Sequence, residues 1–461
     1  MKRLVWVFVL CAVAAFGQEA GLTLTWVGQA CFILKSDNGP TVVTDPPVAS
    51  VGYAIPAVTA NAVTISHNHT DHNFSAGVGG AFTLVDGRPV TARQEIAAAG
   101  VNFILIPGFH DNTGGTTRGP NTMVRWNQSG LKFAHLGDLG QEQLTAAQLA
   151  DLSGLDVLFI PAGGFFTVSP ERAAQYVAEL KPRVAILMHY KTALGGPAQL
   201  AGLPVVASAF AAAAPVVYQP STVTLRPSNL PANTEVWVME PRADAVAVNA
   251  AGFTAGKPLA PGSLVSLFGK FTGAGTGQAQ SYPLPRKIAD TEVFVDGSAV
   301  PLFYASPGQV NFQVPSATST GQSLVEVKVG GQTVTRTSMT VLASAPGLFA
   351  AANPDGTLNS GTNAAKRGDT LVVYGTGQGA VTPAVQDGAA ASTTLASSVV
   401  APLVFLGGKQ MPVAFSGLAP GFAGLWQINV TLPSDAPTGT DMELTVVSGS
   451  TSNKLLVSVK P

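Results

Sequence analysis

The chain has 461 residues, of which 46% are hydrophobic and only 11% are charged, against roughly 25% charged in average soluble domains. Its formal net charge of −1 at pH 7 gives no general electrostatic reason to expect nucleic acid or an anionic membrane as a partner. This length allows about two to four domains with separate cores, and 50 glycines with 33 prolines favour strands and turns over long helices.

The N-terminal segment is typical of an export signal. Lys2 and Arg3 precede the uncharged apolar run LVWVFVLCAVAAF, and small residues stand before a cleavage point ahead of Gln18. The run is shorter than the ~20 apolar residues that cross a bilayer, and a buried first helix is the alternative. We predict that residues 1–17 are a signal peptide and that the mature protein is secreted, extracellular or periplasmic, with no membrane span.

Short apolar strands alternate with helix-like segments in the next region, residues 18–241. The strands are TVVTDP, NAVTIS, FILIP, KFAHLGD, DVLFIPAGG and VAILMHY, and the clearest helix is SPERAAQYVAELKP. This order predicts sheets flanked by helices. Cys31, the one cysteine left after cleavage, lies in the apolar run ACFIL and is predicted to be a buried strand residue rather than a nucleophile.

Metal-compatible side chains follow four of these strands. Three histidines and an aspartate lie within six positions after NAVTIS, where an extended backbone would point His67 and His69 to the same side. Single residues follow FILIP, KFAHLG and VAILM. The full set is His67, His69, Asp71, His72, His110, Asp138 and His189. Imidazole and carboxylate groups bind zinc and similar divalent ions, and seven of them are enough for two metals.

A solvated loop is the alternative for this cluster, and a lone histidine near a strand end is usually a hydrogen-bonded structural residue. The joint placement of the seven residues at strand ends favours a metal site. The sixth histidine, His135, lies within its predicted strand. We interpret His135 as a supporting or core residue and not as a ligand.

The region from Arg242 onward contains no histidine, and two of its segments repeat. GSLVSLFGKFTG from Gly262 is similar to GDTLVVYGTGQG from Gly368, and QVNFQVPSATSTG from Gln309 is similar to QINVTLPSDAPTG from Gln427. Apolar and polar residues alternate over short runs that end in turn residues. The pattern predicts two immunoglobulin-like β-sandwiches, residues 242–345 and 346–461.

The ligand pattern and its flanking text resemble the metallo-β-lactamase superfamily, in its lactonase-like metal-dependent hydrolase branch. The similar stretches are LTWVGQACFILKSDNGPTVVTDP, HLGDLG around Asp138 and LMHYKT around His189, within about residues 22–240. The resemblance implies an α+β class, with an αββα sandwich and a metal site at the edge of its two sheets. It implies one metal on His67, His69 and His110, and a second on Asp71, His72 and His189, with Asp138 bridging. The tail resembles an immunoglobulin-like C-terminal module of secreted bacterial proteins.

A metal-dependent hydrolase is the function that this resemblance implies. Two divalent cations, zinc by preference and manganese or iron as alternatives, would lower the pKa of a shared water from 15.7 to about 7 and supply hydroxide. Asp71 would orient this nucleophile or return a proton to the leaving group. The expected substrate is a small molecule or a polymer with an ester, lactone or phosphodiester bond.

The alternative function is an envelope- or matrix-binding protein whose hydrolase domain is catalytically silent and whose sandwiches make the contact. Two departures from the family pattern bear on it. Gln29 and Gln141 stand where relatives commonly carry histidine. Neither belongs to the ligand set, but both are expected close to the site, where they would affect substrate choice and turnover.

Overall fold

The structure, a computed structural model, describes residues 19–461, so the predicted signal peptide lies outside the described residues. Fourteen strands and three α-helices occur between Leu22 and Met239. The strands are β1 (Leu22–Gly28), β2 (Cys31–Ser36), β3 (Thr41–Thr44), β4 (Ala62–Ile65), β5 (Thr83–Asp86), β6 (Gln94–Ala98), β7 (Val101–Phe109), β8 (Pro120–Gln128), β9 (Leu131–His135), β10 (Val157–Pro161), β11 (Val184–Met188), β12 (Val216–Gln219), β13 (Thr222–Leu225) and β14 (Glu235–Met239). The helices are α1 (Ala146–Asp151), α2 (Pro170–Leu180) and α3 (Leu203–Ala211).

These strands form two mixed sheets. The first has the order β13-β1-β2-β3-β4-β5, and the second has the order β12-β14-β11-β10-β9-β8-β7-β6. In the second sheet β9, β10 and β11 are parallel neighbours. Strands β7 and β9 are both antiparallel to β8, so β7 runs in the same direction as β9. The carboxyl ends of β7, β9 and β11 therefore lie at one edge.

The core between the two sheets is rich in large aromatic side chains. Phe32 of the first sheet packs on Phe159 of the second at a ring-centroid distance of 4.2 Å. Trp126 stacks on Phe133 at 5.3 Å, and all four rings are buried. The strands β10 and β11 are buried along their whole length, as expected for parallel strands covered on both faces. This core holds the two sheets face to face and confirms the predicted sandwich.

The helices occur between strands of the second sheet. Helix α2 begins after Ser169, whose side chain accepts a hydrogen bond from the backbone N–H of Arg172, with Pro170 in the first turn. It ends at Lys181 in the left-handed conformation (φ 48°).

The first sheet has a separate apolar cluster on Val27, Cys31, Ile33, Val43 and neighbouring residues. Cys31 is fully buried, and burial raises the pKa of its thiol, as expected for a structural cysteine.

The tail forms two further pairs of sheets. The first pair contains β15 (Val246–Asn249), β16 (Leu264–Phe268), β17 (Gly277–Gln278), β18 (Thr291–Val295), β19 (Ser298–Ala299), β20 (Leu302–Ala305), β21 (Gln309–Gln313), β22 (Gly321–Val329) and β23 (Gln332–Val341). The second contains β24 (Gly347–Ala352), β25 (Ala365–Lys366), β26 (Thr370–Thr376), β27 (Val381–Thr382), β28 (Ser397–Ser398), β29 (Leu403–Leu406), β30 (Lys409–Met411), β31 (Val413–Leu418), β32 (Trp426–Thr431), β33 (Gly439–Ser448), β34 (Ser450–Thr451) and β35 (Leu455–Lys460). Each pair encloses its own apolar core.

The sequence repeat in the tail corresponds to a repeated strand pair. Strands β16 and β21 carry the repeated segments in the first sandwich and are antiparallel neighbours. Strands β26 and β32 carry them in the second and are also antiparallel neighbours. Two all-β sandwiches follow the two-sheet region, as predicted. The domain boundaries between residues 241 and 242 and between residues 345 and 346 stay a prediction. They are compatible with the end of β14 at Met239 and the start of β24 at Gly347.

Among the described residues, no helix has the length and apolar character needed to cross a membrane.

The contact between the two-sheet region and the first sandwich determines what a truncated chain would lose. The backbone N–H of Ala193 donates to Oε1 of Gln322 at 3.2 Å, and α3 lies against β22. Contacts between domains of one chain are commonly modest. We expect a chain shortened to residues 18–241 to fold, bind metal and hydrolyse a small soluble substrate at close to the full-length rate.

Steady-state kinetics of the shortened and full-length chains on one substrate measure this, and Gln322→Ala in the full chain isolates the loss of the Ala193–Gln322 hydrogen bond. A folded, metal-loaded short chain with negligible turnover would mean that the tail helps to build the site.

Candidate metal centre

The seven predicted ligands all lie where the carboxyl ends of β4, β7, β9 and β11 meet. Strand β4 belongs to the first sheet and the other three to the second, so the site lies at a shared edge of the two sheets. The sequence suggested an extended backbone after β4, but the structure shows that this segment is not extended. Residues 67 and 68 form a bend, and the N–H of His72 donates to the carbonyl of His69 at 3.0 Å. A turn, rather than strand alternation, therefore brings these side chains together.

The seven side chains form two clusters. In each cluster, the potential ligand atoms lie within 4.8 Å of one another. One cluster contains His67, His69 and His110, and the other contains Asp71, His72, Asp138 and His189. Five of the seven residues are buried; His69 is exposed and Asp71 is intermediate. The grouping matches the two ligand sets that the family resemblance implied.

Asp138 lies between the two clusters. One of its carboxylate oxygens, Oδ2, is 3.2 Å from Nε2 of His110 and 3.7 Å from Nε2 of His67. The same oxygen is 3.1 Å from Nε2 of His189, and Oδ1 is 3.3 Å from Nε2 of His72. A single carboxylate therefore contacts imidazoles of both clusters. This is the position that a ligand shared by two cations must occupy.

A separate observation, on buried polar atoms, also supports the binding of divalent cations by these residues. Nε2 of His72 and Oδ1 of Asp138 are buried and lie 3.3 Å apart, but neither forms a hydrogen bond of acceptable geometry with the other or with another described residue. Buried polar atoms without a partner cost about 1–3 kcal/mol each. A cation coordinated by both atoms would remove that cost, and nitrogen with carboxylate oxygen is a ligand set that zinc, manganese and iron accept.

The electrostatics of the site shift the pKa values of its imidazoles in opposite directions and keep Asp138 ionised. Burial, and then the neighbouring His72, lower the pKa of His67 to about 3. Burial alone would lower the pKa of His189, but Asp138 and Asp71 raise it to about 9. Burial opposes ionisation of Asp138, yet His189 and His72 hold the pKa of its carboxyl well below the usual range. Ionised carboxylates are thus buried at this edge and attract cations.

Asp45, which the sequence analysis did not select, anchors the second cluster. It is fully buried and follows β3, the neighbour of β4. Its Oδ2 lies 3.0 Å from Nδ1 of His72, and its two oxygens accept from the N–H and hydroxyl of Ser66. An acid at the carboxyl end of a buried strand beside β4 was the signal in the sequence. Such a partner fixes the tautomer and orientation of a ligating histidine.

His135 has the supporting place proposed for it. It is the last residue of β9, and its buried Nε2 donates to the carbonyl of Ala30 at 2.9 Å. Its Nδ1 accepts from the N–H of Gly137 at 3.1 Å. Asn121, a second residue that sequence reasoning missed, accepts from the N–H of Asp138 at 2.9 Å. These bonds fix the backbone that carries Asp138.

The two glutamines that depart from the family pattern differ in position. Nε2 of Gln29 donates to Oδ2 of Asp71 at 2.9 Å, and the backbone carbonyl of Gln29 accepts from the backbone N–H of His189 at 3.1 Å. Gln29 therefore contacts the site on two sides. Gln141 instead bonds with Gln148 of α1 and with the carbonyl of Gln143. Its side chain therefore joins the N-terminal end of α1.

Three residues of the site have a strained backbone conformation. Gln29 and His189 have a φ of 51°, and Asp45 has a φ of 36°. Non-glycine residues in this region cost about 1–3 kcal/mol each and persist where the surrounding structure over-determines them. The three residues support or form the second cluster, so the fold maintains its geometry at an energetic cost.

An open cavity of about 680 Å³ gives access to both clusters. Its lining includes five of the proposed ligands (His69, Asp71, His110, Asp138 and His189) together with Thr117, Arg118, Phe166 and Pro197. This volume is within the range of small-molecule sites. A substrate in the cavity would therefore contact the proposed ligands directly.

Comparison with known proteins assigns a family to this site. The model of the beta-lactamase superfamily domain matches residues 23–189. A UPF0173 metal-dependent hydrolase from Myxococcus xanthus is 30% identical over 201 residues, which cover 37% of this chain and 70% of the relative. Another from Desulforamulus reducens is 30% identical over 205 residues, covering 37% of this chain and 85% of the relative. The chain belongs to the UPF0173 metal-dependent hydrolase family of the metallo-β-lactamase superfamily.

A solved structure of similar sequence is that of a putative zinc-dependent hydrolase of the metallo-β-lactamase superfamily from Thermotoga maritima. It is 32% identical, covers 47% of this chain and 98% of that chain, and has a TM-score of 0.37. The residues that the family model matches, 23–189, lie within the two-sheet region. This metallo-β-lactamase-superfamily protein is therefore a metal-dependent hydrolase with an all-β tail.

The role of Asp45 in this metallo-β-lactamase-superfamily site can be tested with Asp45→Asn. The amide loses the negative charge that holds Nδ1 of His72, and outer partners of metal ligands typically contribute 10–100-fold in affinity. We expect metal affinity to fall by about this factor. Competition with a chromophoric chelator measures it, with Asp37→Asn, a surface acid paired with Arg226, as the matched control. Wild-type affinity in a folded Asp45→Asn protein would show that Asp45 has only a packing role.

Proposed function

We propose that this protein is a secreted, dinuclear hydrolase that cleaves an ester, lactone or phosphodiester bond. One observation carries the proposal: Asp138 contacts histidines of both clusters at 3.1–3.7 Å. His67, His69 and His110 would hold one divalent cation, and Asp71, His72 and His189 the other, with Asp138 shared. When bound, such a pair lowers the pKa of water and stabilises negative charge that develops on the substrate.

Asp71 is the residue best placed to handle a proton. It lines the open cavity, and its side chain is 21% exposed, whereas that of Asp138 is 3% exposed. Gln29 donates to its Oδ2, and His72 keeps the pKa of its carboxyl low despite the opposing effect of burial. Asp71 would therefore be ionised at neutral pH, able to orient a nucleophilic water and to pass its proton to the leaving group.

The protein's own side chains also limit water at the site. The imidazoles of His67, His72, His110 and His189 are almost fully buried. Among the proposed ligands that line the cavity, His69 and Asp71 are more exposed than His110, Asp138 and His189. A substrate bound there would displace solvent, and electrostatic stabilisation is stronger in a site from which water is excluded.

Secretion and the role of the tail complete the proposal. The basic and apolar N-terminal segment supports export, and the two sandwiches would attach the enzyme to the cell envelope or matrix or admit a large substrate. N-terminal sequencing of the exported protein checks the cleavage, with Gln18 as the expected first residue. A protein retained in the cytoplasm with Met1 intact would contradict export.

A substrate panel tests the reaction. The metal-loaded mature protein is assayed on an aryl ester, a lactone, a phosphodiester and a β-lactam, with the Asp138→Ala variant and the chelated protein as controls. We expect turnover on at least one of the first three substrates and loss in both controls. A protein that binds two metals yet hydrolyses none above the controls would favour the binding function of the tail.

A further inference from the structure

The loop between β7 and β8 holds Arg118 at the mouth of the cavity. Asp111 is buried, and its carboxylate accepts hydrogen bonds from four backbone N–H groups of this loop, at 2.7–2.9 Å: those of Thr113, Gly115, Thr117 and Arg118. The shortest of the four is the bond from Arg118. The main chain of Arg118 is therefore fixed in place, although its loop lies at the surface.

The side chain of Arg118 points at the same cavity as the metal clusters. Arg118 lines that cavity together with Asp71, Asp138 and His189. Its guanidinium carbon lies 5.6 Å from the centroid of the Phe166 ring, which follows β10. This cation–π contact joins two loops and places the guanidinium beside an aromatic ring.

Arg118 differs from the other arginines in residues 19–461, because its guanidinium forms neither an ion pair nor a hydrogen bond with the protein. The others bond to acids or to backbone carbonyls, for example Arg93 with Asp151 and Arg183 with Leu230. A guanidinium has five N–H donors arranged to bind carboxylate or phosphate through two bonds. The donors of Arg118 are free for a ligand in the cavity.

We propose that Arg118 recognises the substrate, and that the substrate carries an anionic carboxylate or phosphate group outside the bond that is cleaved. This inference rests on the proposed hydrolase function. The reacting bond would lie at the clusters, and the anionic group would lie against Arg118, with Phe166 fixing the plane of the guanidinium. Arg118 would thus determine specificity without taking part in the bond cleavage.

The kinetic test uses three p-nitrophenyl esters whose acyl chains end in a methyl, a carboxylate or a phosphonate group. Hydrogen bonds to charged groups contribute about 1.5–3 kcal/mol, and each 1.4 kcal/mol is tenfold in affinity. In Arg118→Ala we expect KM for the preferred anionic ester to rise by roughly 10–100-fold, with kcat within about twofold and the methyl ester unaffected. The anionic ester with the larger change of KM shows whether Arg118 binds a carboxylate or a phosphate-like group. Arg118→Lys should recover part of the loss.

Arg93→Ala is the matched control, because Arg93 is an exposed arginine on the surface, paired with Asp151 and Glu95. It should leave all three esters unchanged. Equal changes of KM on the methyl and anionic esters, or no change on any, would overturn the proposal.

A binding measurement separates failure of this inference from failure of the hydrolase function. If the wild-type protein cleaves none of the esters, titration calorimetry with glutarate and with methylphosphonate on metal-loaded wild type and variants still tests Arg118. We expect at least about tenfold weaker binding of one anion in Arg118→Ala and in Arg118→Gln, with unchanged metal content. Equal affinity in wild type and both variants would overturn the role of Arg118.

Discussion

Replacing Asp138 by alanine should abolish activity and release metal. The Asp138 carboxylate contacts His67 and His110 of one cluster and His72 and His189 of the other. Without it, Asp71 would be the one carboxylate left among the seven proposed ligands to offset the charge of two cations. We expect a loss of activity well beyond the roughly 10–100-fold that outer partners contribute, together with the loss of at least one metal.

His135→Ala is the control variant for Asp138→Ala. His135 is equally buried and lies three residues away, but it bonds to Ala30 and Gly137 rather than to both clusters. It should cost about 10–100-fold at most and keep both metals. Elemental analysis, steady-state kinetics and thermal melting of both variants and Asp138→Asn measure the difference. An inactive His135 variant beside an Asp138 variant with both metals and full rate would show that the ligand assignment is wrong.

Metal content is the second large expected effect. The purified mature protein, after mild loading, should carry close to two divalent cations per chain, because the seven ligands form two clusters. Chelation should remove turnover, and addition of zinc, manganese or iron should restore it to different extents. Each site at a free metal concentration of 100 times its Kd stabilises the fold by about 2.7 kcal/mol, so chelation should also lower Tm.

Variants of the two clusters separate the binding of the two metal ions. His69→Ala removes an exposed ligand of the first cluster, and His189→Ala removes a buried ligand of the second. We expect each variant to lose affinity chiefly for one of the two ions, so that elemental analysis gives close to one ion per chain at limiting metal. A protein that binds no metal under any loading condition would refute the metal site, and a stoichiometry of one in the wild type would refute its dinuclear form.

Local sequence patterns determined much of this protein. Strand ends after apolar runs, the turn residues around them and the spacing of the six histidines between His67 and His189 predicted sheets flanked by helices and the candidate ligands, and the family resemblance implied the sandwich of two sheets. The repeated segments of the tail predicted two sandwiches, because alternating burial leaves a period of two in the sequence of each strand. Strand β22, for example, alternates buried and half-buried residues as its sequence GQSLVEVKV implies.

The tertiary structure decided which side chains meet, since that depends on strand order rather than on spacing. Asp45 reaches His72 only because β3 and β4 are parallel neighbours, and Gln29 reaches Asp71 across 42 positions, whereas Gln141 turns towards α1. Arg118 stacks on Phe166 because β7 and β10 end at the same edge of the second sheet. Nothing local in the sequence marks such contacts, because residues far apart in the chain are brought together by sheet pairing and by core packing, and these are properties of the whole fold.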